Sequence, residues 1–214
     1  MPIRSSHRQA LLRCTGVAMK LSASDHVWRW LRLEAADWLL WVKLTERTRS
    51  LYNEVLRDHP DDARTHASLA FLDAGEGHKA RAVAGFSRVI ALSPDDIHAY
   101  YNRGFLQQDL KQHADAVESF DRVLALNPKH DLAHYGKALS LIALGKVEEA
   151  VAPLKRATEL QPMSPFGWYQ LARVHHGQGR TDMAEKIIRH LRTFEPKVAD
   201  QLARETGIRA ELAA

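Results

Sequence analysis

Residues 97–126 switch between two helical patterns of apolar positions, separated by a short polar break. Over 97–110, Tyr100, Gly104, Phe105 and Leu110 fall near a helical period, and over 113–126 Ala116, Val117, Phe120, Val123, Leu124 and Leu126 make one wide apolar stripe. The spacing predicts two amphipathic helices joined through Leu110-Lys111-Gln112-His113. This pattern is repeated along the chain. Alanine stands at Ala82, Ala116, Ala150 and Ala184, and a large apolar residue at Phe86, Phe120, Leu154 and Ile188. Prolines mark the same constant step at Pro60, Pro94, Pro128, Pro162 and Pro196. A period sustained over that many units points to stacked repeats, each one supersecondary unit that buries its apolar face against its neighbours.

The punctuation between helices has physical meaning. Gly77, Gly145 and Gly179 share one register, with Lys111 where the glycine lapses, and a helix end favours a left-handed residue there. Each in-phase proline lacks an N–H and fixes φ, so it stops one helix and can open the next. Ser93 and Asn127, just before two of these prolines, are the expected N-terminal caps. The small alanine lets two antiparallel helices approach closely. Pro153, inside a predicted helix and beyond its first turn, predicts a local kink or a lost hydrogen bond rather than a break.

Four units read in one phase. The first carries Leu69, Ala70, Ala82, Phe86, Val89 and Pro94, and the second Tyr100, Gly104, Ala116, Phe120, Val123 and Pro128. The third carries Ala138, Leu141, Ala150, Leu154, Ala157 and Pro162, and the fourth Trp168, Leu171, Ala172, Ala184, Leu191 and Pro196. On these residues the chain resembles the tetratricopeptide repeat (TPR) family, although His66 and His134 stand where an aromatic is usual. The resemblance implies an all-α fold, a right-handed α-solenoid of stacked antiparallel helix pairs, with units at 63–96, 97–130, 131–164 and 165–196. Residues 197–206 predict a closing helix with a polar outer face, within a terminal segment 197–214. Upstream, Tyr52, Val55 and Pro60 keep the phase, so residues 25–60 read as a Trp-rich helix followed by the second helix of a degenerate leading unit.

In such families the first helices of successive units line a concave face. Carrying that placement over, one row reads Ala67, Tyr101, Tyr135 and Tyr169, and the next turn Phe71, Phe105, Leu139 and Arg173. A third row reads Arg64, His98, Leu132 and Phe166, with Asn102 and Gln170 between rows. Aromatic rungs recurring once per unit suit peptide binding, since tyrosine offers rigid amphipathic area. Packing against the neighbouring second helix is the alternative use of these rings. Family members that grip C-terminal carboxylates use a Lys/Asn/Lys/Arg clamp. Here only Asn102 matches it, and Ala67, Phe71 and Gly136 stand where basic or polar groups belong. The expected partner is therefore an apolar polypeptide segment, extended or helical.

Trp28, Trp30, Trp38 and Trp41 are four of the five tryptophans, and they sit in a stretch that is apolar nearly all round. One packing face cannot absorb such a helix. Three uses are open: burial against the first unit, docking on a second protein or a second copy, or a membrane-surface contact through residues 25–44 aided by Arg29 and Arg32. The thin polar face, with Glu34 and Asp37, favours protein contact. The alternative to a groove-binding adaptor is thus a peripheral membrane or complex-assembly factor docked through this helix.

Chemistry enters mainly by exclusion. The chain has no P-loop, no GxGxxG after a strand, no HExxH and no nucleophile elbow, so the reading is of a non-catalytic protein with no cofactor. Twelve histidines include the i,i+4 pair His130 and His134 and adjacent His175 and His176, but without cysteine or a compact carboxylate set no metal site is expected. The single cysteine, Cys14, cannot form an internal disulfide.

The 214 residues carry a formal net charge of +4. Arg4, Arg8, Arg13 and Lys20 lie within the segment 1–24, which holds no acid, so the segment 25–214 balances to zero. The repeat body has no electrostatic footprint for nucleic acid, and no nucleic-acid partner is expected. The segment 1–24 reads as a basic, disordered tail with transit-peptide-like composition but no secretory apolar core. The expected location is cytoplasmic, with the periphery of a membrane-bound complex as the alternative.

Overall fold

The turns set the architecture, because each proline and each left-handed position fixes where a helix stops. The computed structural model describes residues 31–36 and 45–208. Trp28, Trp30, Trp38, Trp41, Cys14 and the basic tail lie outside the described residues. Residues 31–36 are helical, with Leu33 and Ala36 buried. Among the described residues ten further helices follow: α1 (Thr45–Asp58), α2 (Ala63–Gly75), α3 (Lys79–Leu92), α4 (Ile97–Asp109), α5 (His113–Leu126), α6 (Asp131–Ala143), α7 (Val147–Leu160), α8 (Pro165–Gly177), α9 (Thr181–Arg192) and α10 (Pro196–Thr206). No strand occurs among them.

The chain divides into two units, Met1–Val55 and Leu56–Ala214. In the first, α1 buries Thr48, Tyr52 and Val55 on one stripe. In the second, helices pair as antiparallel neighbours: α2 with α3, α4 with α5, α6 with α7 and α8 with α9. Each pair then packs on the next through α3 with α4, α5 with α6 and α7 with α8, while α10 covers α8 and α9. This is an all-α solenoid of stacked helix pairs.

The core is the repeated stripe of the second helices. Ala82, Phe86 and Val89, then Ala116, Phe120 and Val123, then Ala150, Leu154 and Ala157, then Ala184, Ile188 and Leu191 are all buried. Close approach depends on the small positions facing that stripe. A Cβ built on Gly136 would lie 2.6 Å from the Phe120 ring, and one on Gly104 3.1 Å from it. The Phe120 ring therefore occupies the space a side chain would need at Gly136 on α6, and sits tightly against Gly104 on α4.

The turns correct one expectation and explain another. Ser93 and Asn127 end helices rather than begin them: their N–H groups donate to the Val89 and Val123 carbonyls at 2.8 and 2.7 Å. A following proline pushes its predecessor out of the helical region, and both residues have φ of −138°. The N-terminal caps lie two residues beyond Pro60, Pro94, Pro128 and Pro162, at Asp62, Asp96, His130 and Ser164, whereas Pro196 itself opens α10 behind the cap Glu195. Asp62 accepts from the Thr65 N–H (3.2 Å), Asp96 from the Ala99 N–H (2.9 Å), and His130 Nδ1 from the Ala133 N–H (3.2 Å). Between paired helices, Gly77, Lys111, Gly145 and Gly179 all have positive φ, as the register implies. Helix α7 runs unbroken through Pro153, whose side chain is buried.

His66 and His134 take the role of the usual aromatic. Trp168 donates its indole N–H to the Pro162 carbonyl at 2.9 Å. One and three units earlier in register, His134 and His66 place Nε2 on the Pro128 and Pro60 carbonyls at 3.0 and 2.8 Å. A carbonyl only accepts, so each histidine carries its proton on Nε2 and ties its helix to the preceding turn as tryptophan does.

Candidate polypeptide-binding groove

The first helices α2, α4, α6 and α8 carry the three rows of the candidate groove, with consecutive rows three and four residues apart and so on one helix face. The outermost row is exposed throughout: Arg64, His98, Leu132 and Phe166. Of its apolar members, Leu132 is 52% exposed and Phe166 66%. In the next turn Phe71 and Phe105 are 53% and 52% exposed, Arg173 is exposed and Leu139 is half-buried. Large apolar side chains left half in water at regular spacing are unlike an ordinary polar helix surface.

The tyrosine row is different. Ala67, Tyr101, Tyr135 and Tyr169 are all half-buried. Tyr101 stacks on the His130 ring at 5.0 Å and 27°, and tilts against Phe120 at 6.0 Å. Tyr135 packs against the core cluster built from α6 to α10. Tyr169 donates to Glu205 Oε2 of α10 at 2.5 Å, with the Arg173 guanidinium 5.7 Å from its ring. The row is thus partly spent on contacts with neighbouring elements, and part of each side chain stays exposed.

Electrostatics keep these hydroxyls protonated. Burial, then the Asp131 carboxylate, pushes the Tyr101 hydroxyl above its ordinary value. Burial does the same for Tyr135, with the Gln170 side chain acting in the opposite direction. For Tyr169 the hydrogen bond to Glu205 is the main cause, and that bond in turn holds the Glu205 carboxyl below the usual range. All three remain neutral donors at physiological pH.

Of the polar residues placed between rows, Asn102 turns inward on its own helix, its amide donating to the His98 carbonyl at 2.7 Å. Gln108, which the sequence reading passed over, links α4 to α6: its amide donates to the Gly136 carbonyl and to Ser140 Oγ, each at 2.8 Å. Its register, one turn beyond Phe105 on the same face, is the signal that could have found it. Asp131 and Ser164 were likewise missed. With Leu132, Tyr135, Ala157, Gln161, Phe166 and Gly167 they line a cleft of about 90 Å³ between α6 and α8.

Among the described residues one set of ligand-type side chains comes together away from the groove. Asp73, Glu76 and His78 bring one ligand atom each within 4.8 Å of one another, at the α2–α3 turn. Arg81 already meets Asp73 at 2.9 Å and His78 lies 3.5 Å from Glu76, so the cluster reads as an ion-pair network.

Stacked helical hairpins in one register, with an exposed aromatic face on the first helices, define a helical-repeat protein. The sequence profile described as tetratricopeptide repeat matches residues 101–167 and 135–191, so this stretch of the chain is built of tetratricopeptide repeats. Among solved structures it is similar to the MamA RS-1 ArsTM double mutant, at 20% identity and a TM-score of 0.71 over 83% of this chain and 95% of that one. It is also similar to MamA 41-end from Desulfovibrio magneticus RS-1, at 22% identity and a TM-score of 0.69 over 83% and 96% of the two chains. A third is YrrB, described as a TPR protein with an unusual peptide-binding site, at 17% identity and a TM-score of 0.72 over 81% and 90%. At these identities the similarity establishes the fold. No curated protein matches the chain.

Proposed function

We propose that the protein is a non-catalytic scaffold that holds an apolar segment of a partner polypeptide against the face formed by α2, α4, α6 and α8. The observation that carries this reading is the half-exposed line of Phe71, Phe105, Leu132 and Phe166 on one face of four stacked helices. Fully burying an exposed side chain of this kind is worth roughly 1.5–3 kcal/mol, and about half of that remains for side chains that start half exposed, so several shared contacts together supply the anchors of a specific interface. The tyrosine row behind them adds rigid area and hydroxyls that stay neutral. The absence of a basic clamp along the rows disfavours a C-terminal carboxylate as the main anchor. YrrB, a TPR protein with a peptide-binding site, is a precedent of the same fold.

Among the described residues no helix is long and apolar enough to cross a membrane. A cytoplasmic scaffold is the location that goes with this reading.

The test is a Phe71→Ser/Phe105→Ser double variant, checked for its helical circular dichroism and used to capture the partner from the source cell. The expected result is loss of the partner at unchanged fold. Capture equal to wild type by a folded double variant would overturn the groove assignment.

A further inference from the structure

We propose that the cleft between α6 and α8 is the subsite that reads the partner's sequence, taking one branched aliphatic side chain with a lysine or arginine beside it paired to Asp131. This inference rests on the groove reading above and adds the chemistry of the occupant.

The cleft exists because of one residue in the repeat. Beside Tyr101, the capping position of the next unit is His130, whose ring stacks on the tyrosine at 5.0 Å and fills the space. One unit on, beside Tyr135, the capping position is Ser164, a small side chain that makes no capping hydrogen bond. The replacement leaves an opening of about 90 Å³ walled by Leu132, Tyr135, Ala157 and Phe166. That is room for roughly three water molecules. Its apolar walls suit an aliphatic side chain. Leu132 and Phe166, both more than half exposed, stand on the same cleft and would be covered by the occupant.

The charge beside it is uncompensated. Asp131 lines the cleft, and its register-mates Ala63, Ile97 and Pro165 are uncharged. Among the described residues its carboxylate forms no ion pair with a lysine or arginine. The adjacent His130 does not neutralise it. Burial lowers the His130 pKa from its ordinary value, and its Nδ1 is engaged as an acceptor from the Ala133 N–H. The position at the start of α6 makes the negative charge tolerable in the free protein. It also leaves that charge available to a cation on a bound segment, and so favours an aliphatic residue flanked by lysine or arginine over an acidic or purely apolar one.

The experiment is to pan a random displayed-peptide library on the full chain. Synthetic peptides of the selected sequence, with the basic residue changed to glutamine or the aliphatic one to alanine, are then titrated. The protein is used as wild type, Asp131→Asn, Ser164→His and Phe71→Ser/Phe105→Ser, each checked for folding. Wild type should select an aliphatic residue flanked by lysine or arginine. Asp131→Asn should bind the parent peptide about threefold to fivefold more weakly, as befits a partly exposed ion pair, and no longer distinguish lysine from glutamine. Ser164→His should close the cleft as His130 closes its counterpart, and stop distinguishing the aliphatic residue from alanine. Selected peptides without these preferences, or bound equally by both single variants yet released by the double variant, overturn this inference and leave the groove reading standing. Retention of no peptide by wild type, or of all of them by the double variant, overturns both.

Discussion

At the scale of single residues, Lys111 is the clearest departure from what its position demands. It takes φ of 63° where Gly77, Gly145 and Gly179 take 73° to 83°. A left-handed conformation costs a non-glycine residue about 1–2 kcal/mol, part of which is offset because glycine has the looser unfolded chain. Lys111→Gly should therefore stabilise the protein by about 0.5–1 kcal/mol, seen as a higher urea midpoint at unchanged slope; an unchanged or lower midpoint contradicts this. Gly136 presents the opposite case. Its missing Cβ would fall 2.6 Å from a buried ring that cannot swing away, so Gly136→Ala should cost about 1–3 kcal/mol despite the better helix propensity of alanine. Gly75, with nothing within 4 Å, is the matched control, and Gly75→Ala should not destabilise. Equal effects at the two sites would contradict the packing account.

At the scale of the helix pair, α8 and α9 contain a buried histidine with no use for its polarity. His175 is 2% exposed and neither ring nitrogen has a hydrogen-bond partner. Burial first, then the positive charges of Arg180 and Lys155, lower its pKa, with Glu148 opposing. His130 is lowered as well, again chiefly by burial. A folded pKa below the unfolded one means that the unfolded chain takes up protons first, so stability is full above the unfolded value near 6.5 and is lost as pH falls toward the folded values. The melting temperature should hold steady above about pH 7.5 and drop progressively below about 6.5. His175→Leu should flatten much of that drop, because it exchanges an unsatisfied polar ring for apolar volume. A wild-type melting curve insensitive to pH, or a variant with the same slope, would count against it.

Most of this scale was legible in the sequence. The regular recurrence of alanine, large apolar residue and proline placed the second-helix stripe, and the glycine register located the left-handed turns with Lys111 among them. What the period could not convey was local competition. Ser93 and Asn127 have good capping chemistry, yet their N–H groups close the preceding helix and the next one starts only at Ile97 and Asp131, so the cap falls three residues on, in the register held by Asp62, Asp96, His130 and Ser164. Histidine at 66 and 134 looked like a lapse until the carbonyl six residues back appeared as its partner. Groove rows could be written down from register alone. Which members face water and which pack inward could not: Phe105 is half exposed, while Tyr101 and Asn102 spend part of their surface or hydrogen bonding within the stack. The cleft beside Ser164 depends on what a small residue fails to fill, and spacing does not report volume.

At the scale of the repeat unit Leu56–Ala214, the half-exposed aromatic face and the buried stripe lie on different helices, joined through contacts such as Phe71 on Phe86 and Tyr101 on Phe120. Second helices supply the buried stripe, first helices supply small residues to one side and aromatic ones to the other. Ion pairs such as Lys79–Asp109 and Lys137–Asp121, both at 2.6 Å, join helices across the surface and contribute little individually. The exposed members Phe105, Leu132 and Phe166 can therefore be changed with limited loss of fold. A photoreactive phenylalanine analogue placed at Phe105, and in a separate protein at the exposed second-helix position Glu118, tests the central claim most directly when irradiated in the source cell. The account predicts a polypeptide cross-link from position 105 and none from 118. Cross-links from 118 alone, or equal yields from both, would contradict it.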